Sequence, residues 1–262
     1  MTQRVALVTG GARGIGAATV RALVAAEYAV VVVDLGRDLP GVPYAMGTSE
    51  DLALLRSEFG DAVRTVEGDV RDLSTMQEAV QVAKQHFGGL DVAIAGAGLA
   101  TGGVPVWEQT EESFMANVSV NLLGVHQTAV ASIPALLERP NPRSGRFLAI
   151  SSTAGLIGQP KLTAYSASKH AVIGYVKGLA ADLGTTGVTA NAVLPGSTRT
   201  AILEACAAMY DLNSVEEFAV HHLNERLLEP EELAAVLVFL AGEASSAITG
   251  AAIPVDGGMT AS

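Results

Sequence analysis

The chain has one cysteine, Cys206, in 262 residues. No internal disulfide can form, which suits a reducing compartment. Positive charge is also scarce, with 16 Lys and Arg against 27 Asp and Glu and a net charge of −11. Nucleic-acid and anionic membrane surfaces demand a basic stripe, so both partners are disfavoured. Solubility alone accounts for the acidity. Long apolar runs are missing too. "AVVVV" and "LAAVLVFLAG" fall far short of the ~20 residues that span a bilayer. The opening "MTQRVALVTGG" lacks a charged n-region, a long h-region and a cleavage site. These absences lead us to expect a cytoplasmic protein with no membrane or nucleic-acid partner. There is no internal repeat, low-complexity tract or linker.

Apolar residues make up 49% of the chain and charged residues 16%, enough to bury a large core. With 28 glycines, tight turns or close backbone approaches are expected. Short β-branched runs alternate with longer helical stretches. Strands are expected over 4–9, 29–34, 62–69, 90–98, 145–152, 188–196 and 251–258. Helices are expected over 14–27, 49–59 with Ser49 as N-cap, 73–88, 111–137, 163–184 and 230–242, the last with Pro230 in its first turn. Continuous apolar strands separated by helices predict one doubly wound α/β domain, a parallel sheet covered on both faces. Ligands in such folds sit at the carboxyl ends of the strands.

At the first such end lies "TGGARGIG", Thr9 to Gly16. Gly10, Gly14 and Gly16 permit a tight turn beneath a pyrophosphate. Arg13 and Ile15 lie between them, and the helix N-terminus supplies unpaired N–H groups. Glycines at any strand–helix turn would look similar. Asp34, closing the second strand, strengthens the dinucleotide reading, since a carboxylate there accepts the ribose hydroxyls and repels a 2′-phosphate. NAD is therefore preferred to NADP. A simple turn-capping aspartate is the alternative, and Arg13 and Arg37 remain available to a phosphate. Leu35 adjoins Asp34. Asp69 and Val70, after the third strand, are candidates for the adenine, unless Asp69 only caps the next helix.

The segment "TAYSASK" places Tyr165 and Lys169 one helical turn apart on one face. A cation beside a phenol favours the phenolate and can lower its pKa by roughly one to three units. Such a pair is either a tuned acid–base or a helix face with a snorkelling lysine. Together, Thr9-Gly10-x-x-x-Gly14-x-Gly16, Asn121, Ser152, Tyr165, Lys169, "PGSTRT" and "TGAAIPVDGG" resemble the short-chain dehydrogenase/reductase family over essentially the whole chain. The long link "LGRDLPGVPYAMGTSEDL" after Asp34, "GVTANAVLPGSTRTAI" and "RLLEPEELA" resemble its mycofactocin-associated branch. Members of that branch are actinobacterial NAD enzymes believed to hold the nucleotide without exchange and to be reoxidised by a peptide-derived redox cofactor.

The resemblance implies hydride transfer between NAD and an alcohol or ketone. It makes Tyr165 the general acid–base, with Lys169 lowering its pKa and bonding the nicotinamide ribose. It gives Ser152 the substrate oxygen, and Asn121 a place in a water relay to Lys169. It puts Ala97, Gly98, Pro195, Gly196, Thr198 and Thr200 beside the cofactor. Ser151 rivals Ser152, and Asn117 rivals Asn121. Where the family has Asn-Asn-Ala-Gly this chain has Ala95-Gly96-Ala97-Gly98, which puts a brace between neighbouring strands in doubt. The resemblance also implies a homotetramer.

Residues 201–229 read as a mostly helical lid over an apolar secondary alcohol. Met209, Tyr210 and Phe218 either line a pocket or pack the lid. Adjacent His221 and His222 make poor metal geometry, and no metal site is expected. Trp107 is placed near the pocket mouth or an interface. The 35–48 loop is expected near the adenosine end. An epimerase or dehydratase would show Gly-x-x-Gly-x-x-Gly, and a nucleotide-sensing module would tend to lose the tyrosine or lysine.

Overall fold

A computed structural model describes residues 3–140 and 143–261. Seven parallel strands form its sheet: β1 (Val5–Thr9), β2 (Ala29–Asp34), β3 (Val63–Glu67), β4 (Val92–Ala95), β5 (Arg146–Ile150), β6 (Thr189–Pro195) and β7 (Ala252–Val255). Their order is β3-β2-β1-β4-β5-β6-β7. The order reverses between β1 and β4, which pair from Ala6 opposite Val92 to Thr9 opposite Ala95.

The strands are apolar on both sides because both sides are covered. Val5 and Leu7 join one core with α3 (Leu73–Phe87), α5 (Gly124–Glu138) and α6 (Thr163–Asp182). Ala6 and Val8 join the other with α1 (Gly14–Ala25), α2 (Ser49–Phe59) and α8 (Pro230–Ala241). The lid holds α7 (Ala201–Met209) and a short 3-10 stretch, Val215–His221; its remainder is irregular.

Three local expectations change. The N-cap of α2 is Thr48, not Ser49: its hydroxyl accepts the Asp51 N–H while the Asp51 carboxylate accepts the Thr48 N–H, a reciprocal capping box. The expected helix over 111–137 contains a π turn, Ser119–Leu123, between α4 (Glu111–Val118) and α5. Periodicity cannot announce such a bulge. Glu111–Glu138 is long and apolar enough to cross a membrane, but 56% of its most apolar window is buried inside the fold.

The third change concerns the brace after β4. The side chain of Thr9, 1% exposed, takes that part: its hydroxyl accepts the N–H of Gly96 at 3.0 Å and of Ala97 at 3.1 Å. The chain thus ties β1 to the β4 exit from the opposite strand. Replacing Thr9 with Val leaves two part-buried N–H groups without this partner. Thr9→Val is expected to lower unfolding stability by about 1–3 kcal/mol, read by urea denaturation. An unchanged midpoint would show that the brace carries no weight.

Candidate active site

One continuous cleft of about 1200 Å³ runs along the carboxyl ends of the strands. Its first part is the glycine turn. Gly10 has φ +69, and a β-carbon there would lie 2.7 Å from the Ala97 backbone. Only a glycine lets the β1 and β4 exits meet this closely. Arg13 occupies the N-cap position of α1, and Ile15 opens into the cleft with Gly14 and Gly16. The turn leaving β6 closes from the other side, because a β-carbon on Gly14 would sit 3.3 Å from Thr200 Cγ2.

Asp34 is 9% exposed. One carboxylate oxygen accepts the Ala12 N–H at 2.9 Å and the other the Leu35 N–H at 2.8 Å. Burial raises its pKa, and these donors, with Arg13, work against the rise. Asp34 therefore caps the turn and also faces the cleft, so the two readings coexist. Asp69 borders the cleft beside Val70, but its carboxylate is engaged by Arg71, which holds it below the usual range despite desolvation. Capping of α3 falls to Asp72, whose side chain accepts the Ser74 N–H.

The second part of the cleft gathers Ser152, Tyr165 and Lys169. Ser151 is occupied structurally, its hydroxyl donating to the Lys169 carbonyl at 2.8 Å. Ser152 Oγ accepts the Ala154 N–H and stands beside Tyr165. Asn117 is spent on Thr101 and Ser113. Asn121, in the π turn, accepts the Leu99 N–H and donates to the Leu99 carbonyl and to Ser168 Oγ, each near 3 Å. A β-carbon on Gly98 would lie 3.3 Å from both Asn121 Oδ1 and Lys169 Nζ, which places these two groups around one point. The π turn swings Asn121 to that point, a common use of such bulges.

The pKa logic of the pair differs from expectation. Lys169 Nζ lies 5.7 Å from the centroid of the Tyr165 ring and donates to the Ile150 carbonyl at 2.9 Å. Burial pushes Lys169 down to about 8. It also raises Tyr165, with Ser152 working against the rise. Lys169 does not bring the phenol below its ordinary value, because desolvation penalises both charged forms.

Pro195, Gly196, Thr198 and Thr200 all line the cleft, as do Gly10, Ala97 and Gly98. Thr200 is the N-cap of α7. Tyr210 and Phe218 meet edge to face, with centroids 6.1 Å apart, and both line the cleft; Met209 packs instead against Gly103. Trp107 is 82% exposed, outside the cleft lining. Residues that sequence reasoning did not single out also belong here. Ile202, Cys206 and Leu212 reach in from the lid, and Tyr44 from the 35–48 loop. The presence of the lid and loop was visible in the sequence, but the direction of these side chains was not.

A family model described as enoyl-(acyl carrier protein) reductase matches residues 10–260. A cis-4-hydroxycyclohexanecarboxylate dehydrogenase of Sinomonas cyclohexanicum is 33% identical, covering 99% of this chain and 97% of its own. A (−)-trans-carveol dehydrogenase of Rhodococcus erythropolis is 31% identical over 98% of this chain and 97% of its own. The crystal structure of a carveol dehydrogenase from Mycobacterium avium in complex with NAD superposes with a TM-score of 0.91 at 27% identity, covering 100% of this chain and 99% of that one. The chain belongs to the short-chain dehydrogenase/reductase family of oxidoreductases.

The buried lysine makes a stability test. Its folded pKa, about 8, lies below the ordinary 10.5, so the unfolded chain holds the proton more tightly. The cost is full below about pH 8 and fades as pH approaches the unfolded value. It outweighs the one hydrogen bond to Ile150, worth about 1 kcal/mol. Lys169→Met is expected to unfold at equal or higher urea concentration than wild type near neutrality, with the gain vanishing toward pH ~10.4. A clear loss of stability at neutral pH would contradict this account.

Proposed function

We propose that this chain is an NAD-dependent oxidoreductase that interconverts a hydrophobic secondary alcohol and its ketone. The observation that supports the reading is the shared cleft: the glycine turn and Asp34 at one end, Ser152, Tyr165 and Lys169 at the other. The cradle suits a dinucleotide, because its glycines let the chain turn tightly against its neighbours at the start of α1 and Asp34 lines the same cleft with a carboxylate suited to ribose hydroxyls. Gly10, Arg13, Gly14, Ile15 and Gly16 would hold the pyrophosphate. Asp34 and Leu35 would take the adenosine ribose, Asp69 and Val70 the adenine, and Ala97, Gly98, Lys169, Pro195, Gly196, Thr198 and Thr200 the nicotinamide end. NAD, when bound, supplies the hydride acceptor or donor.

The protein's own part is proton transfer and positioning. Ser152 donates a hydrogen bond to the substrate oxygen and offsets charge building on it. Tyr165 exchanges the hydroxyl proton with that oxygen. Raised by burial, it is a neutral proton donor near pH 7, ready for ketone reduction. Alcohol oxidation needs the phenolate, so its rate climbs with pH until Lys169 begins to lose its charge near 8. Asn121 holds the segment after β4 and lies next to Lys169, in position for a relay of protons to solvent.

The substrate end is lined by Ile157, Leu162, Ile202, Cys206, Tyr210 and Phe218. The nearby cation Arg199 is held by Glu216 and Glu229, so it does not offer itself to a substrate carboxylate. The named relatives act on ring alcohols. A neutral carbocyclic alcohol fits best.

The reading extends to mycofactocin as external electron acceptor, supported by the 35–48 loop. Leu39, Val42 and Tyr44 pack on the core, and the buried Tyr44 hydroxyl accepts the Ala100 N–H at 3.0 Å. The loop thus straps from the end of β2 to the segment after β4, across the cleft. Such a strap slows nucleotide release. A homotetramer in the cytoplasm belongs to the same proposal, with Phe114, Leu123 and Val130 as the exposed apolar contribution of the long helix.

Hydride transfer with a dye acceptor and a panel of ring alcohols tests the reaction. Tyr165→Phe is expected to lose about 10²–10⁴-fold in rate, and wild-type oxidation to rise with pH from about 6 to 8. Unchanged turnover in Tyr165→Phe discards the assignment. Mass spectrometry of protein purified without added nucleotide tests the strap: bound NAD is expected in wild type and less of it in Tyr44→Ala. An empty site with millisecond exchange rejects the strap.

A further inference from the structure

His222 ends the lid's 3-10 stretch and is 2% exposed. Its Nε2 accepts the N–H of Ser197 at 3.0 Å. An acceptor nitrogen must be unprotonated, so the neutral ring carries its proton on Nδ1. That Nδ1 is buried without a hydrogen-bond partner among the described residues. The Arg226 backbone lies near the ring, but its one well-formed hydrogen bond goes to the turn after β6.

Ser197 lies between Gly196 and Thr198 in the cleft wall. Its carbonyl accepts the Leu228 N–H at 3.0 Å, and the Arg199 N–H donates to the Leu228 carbonyl at 2.9 Å. The descending arm of the lid is also joined to the chain after β7, where the Asn224 N–H donates to Gly257. So the turn lies between β6 and the lid arm, and His222 is the only side chain among the described residues that bonds its Ser197 N–H. The other turn contacts, backbone pairs and the bonds from the Thr198 and Thr200 hydroxyls to the Gly196 and Thr198 carbonyls, do not titrate. The His222 bond does.

We propose that His222 is a positioning residue, a proton-sensitive clasp that holds the Gly196–Thr198 turn against the nicotinamide end of the cleft and releases it on protonation. This rests on the NAD reading of the cleft. Protonation puts a hydrogen on Nε2, facing the Ser197 N–H, and two donors cannot share that space. The clasp opens, and the turn and lid arm loosen together.

The surroundings keep the ring neutral at pH 7. Burial lowers its pKa most; the Arg226 backbone and Asp256, after β7, favour the charged form, while His221 and the Arg226 side chain oppose it. Since the folded value lies below the ordinary 6.5, the clasp is complete at neutrality and is lost as pH falls beneath that value.

Two measurements on the full chain decide. The first is nitrogen-15 NMR of the imidazole, with hydrogen exchange of the Ser197 amide; neither needs nucleotide. A neutral Nδ1–H tautomer near pH 7 is expected, with Ser197 better protected in wild type than in His222→Leu. The second is the NAD dissociation rate. His222→Leu is expected to release NAD about tenfold faster at neutral pH, the equivalent of one hydrogen bond. His222→Gln, whose amide oxygen still accepts the Ser197 N–H, is expected to stay close to wild type there. As pH is titrated downward from 6.5, wild-type release is expected to accelerate and that of His222→Gln not to. If the leucine variant fails to fold, the tautomer and the glutamine comparison carry the test. An Nε2–H tautomer, or the same pH dependence in wild type and His222→Gln, overturns the clasp. If wild type binds no NAD, the reading of the cleft fails, while the tautomer and Ser197 exchange still judge the clasp.

Discussion

The structure turns on the reversal of strand order between β1 and β4. Chains leaving these neighbours diverge to opposite faces of the sheet, so a crevice opens above their ends. Every feature of the site is an answer to that gap. Gly10 lets the two exits approach within backbone contact, and Thr9 ties them with one hydroxyl. Asp34 fixes the glycine turn from the next strand. The 35–48 loop then spans the same gap from above through Tyr44.

The proposed chemistry is located where the protein gives up stability. A lysine amine and a tyrosine hydroxyl are both taken from water, and each shifts away from its charged form. The fold supports this with few bonds: the Ile150 carbonyl for Lys169, the Ser151 hydroxyl on the Lys169 backbone, and the π turn that brings Asn121 near. A phenol raised by burial is a proton donor, which under the proposed reaction favours reduction and makes oxidation depend on pH. Stored cost at a reactive centre is a common trade between stability and function.

The lid is less independent than its sequence suggests. Its helix α7 starts at Thr200, inside the turn that follows β6, and its descending arm returns to that turn through His222 and Leu228. The lid and the turn after β6 therefore share one backbone segment, and movement of one cannot leave the other untouched.

Much of this was legible in the residues. Apolar strands alternating with amphipathic helices require a parallel sheet with two covered faces, because backbone pairing and burial of both sides leave few other solutions. Glycines at the first turn, an acid closing the second strand, and Tyr165 one helical turn before Lys169 are local facts, set by spacing along one chain. What spacing could not reveal depends on neighbours distant in sequence. Thr9 as brace, the π turn under Asn121, the Ser151 bond to the Lys169 carbonyl, the reach of Tyr44 to Ala100, and the His222 bond to Ser197 each depend on contacts that only packing brings together. The direction of the Tyr165 shift belongs with them, since desolvation is a property of the surrounding fold and not of the residue pair.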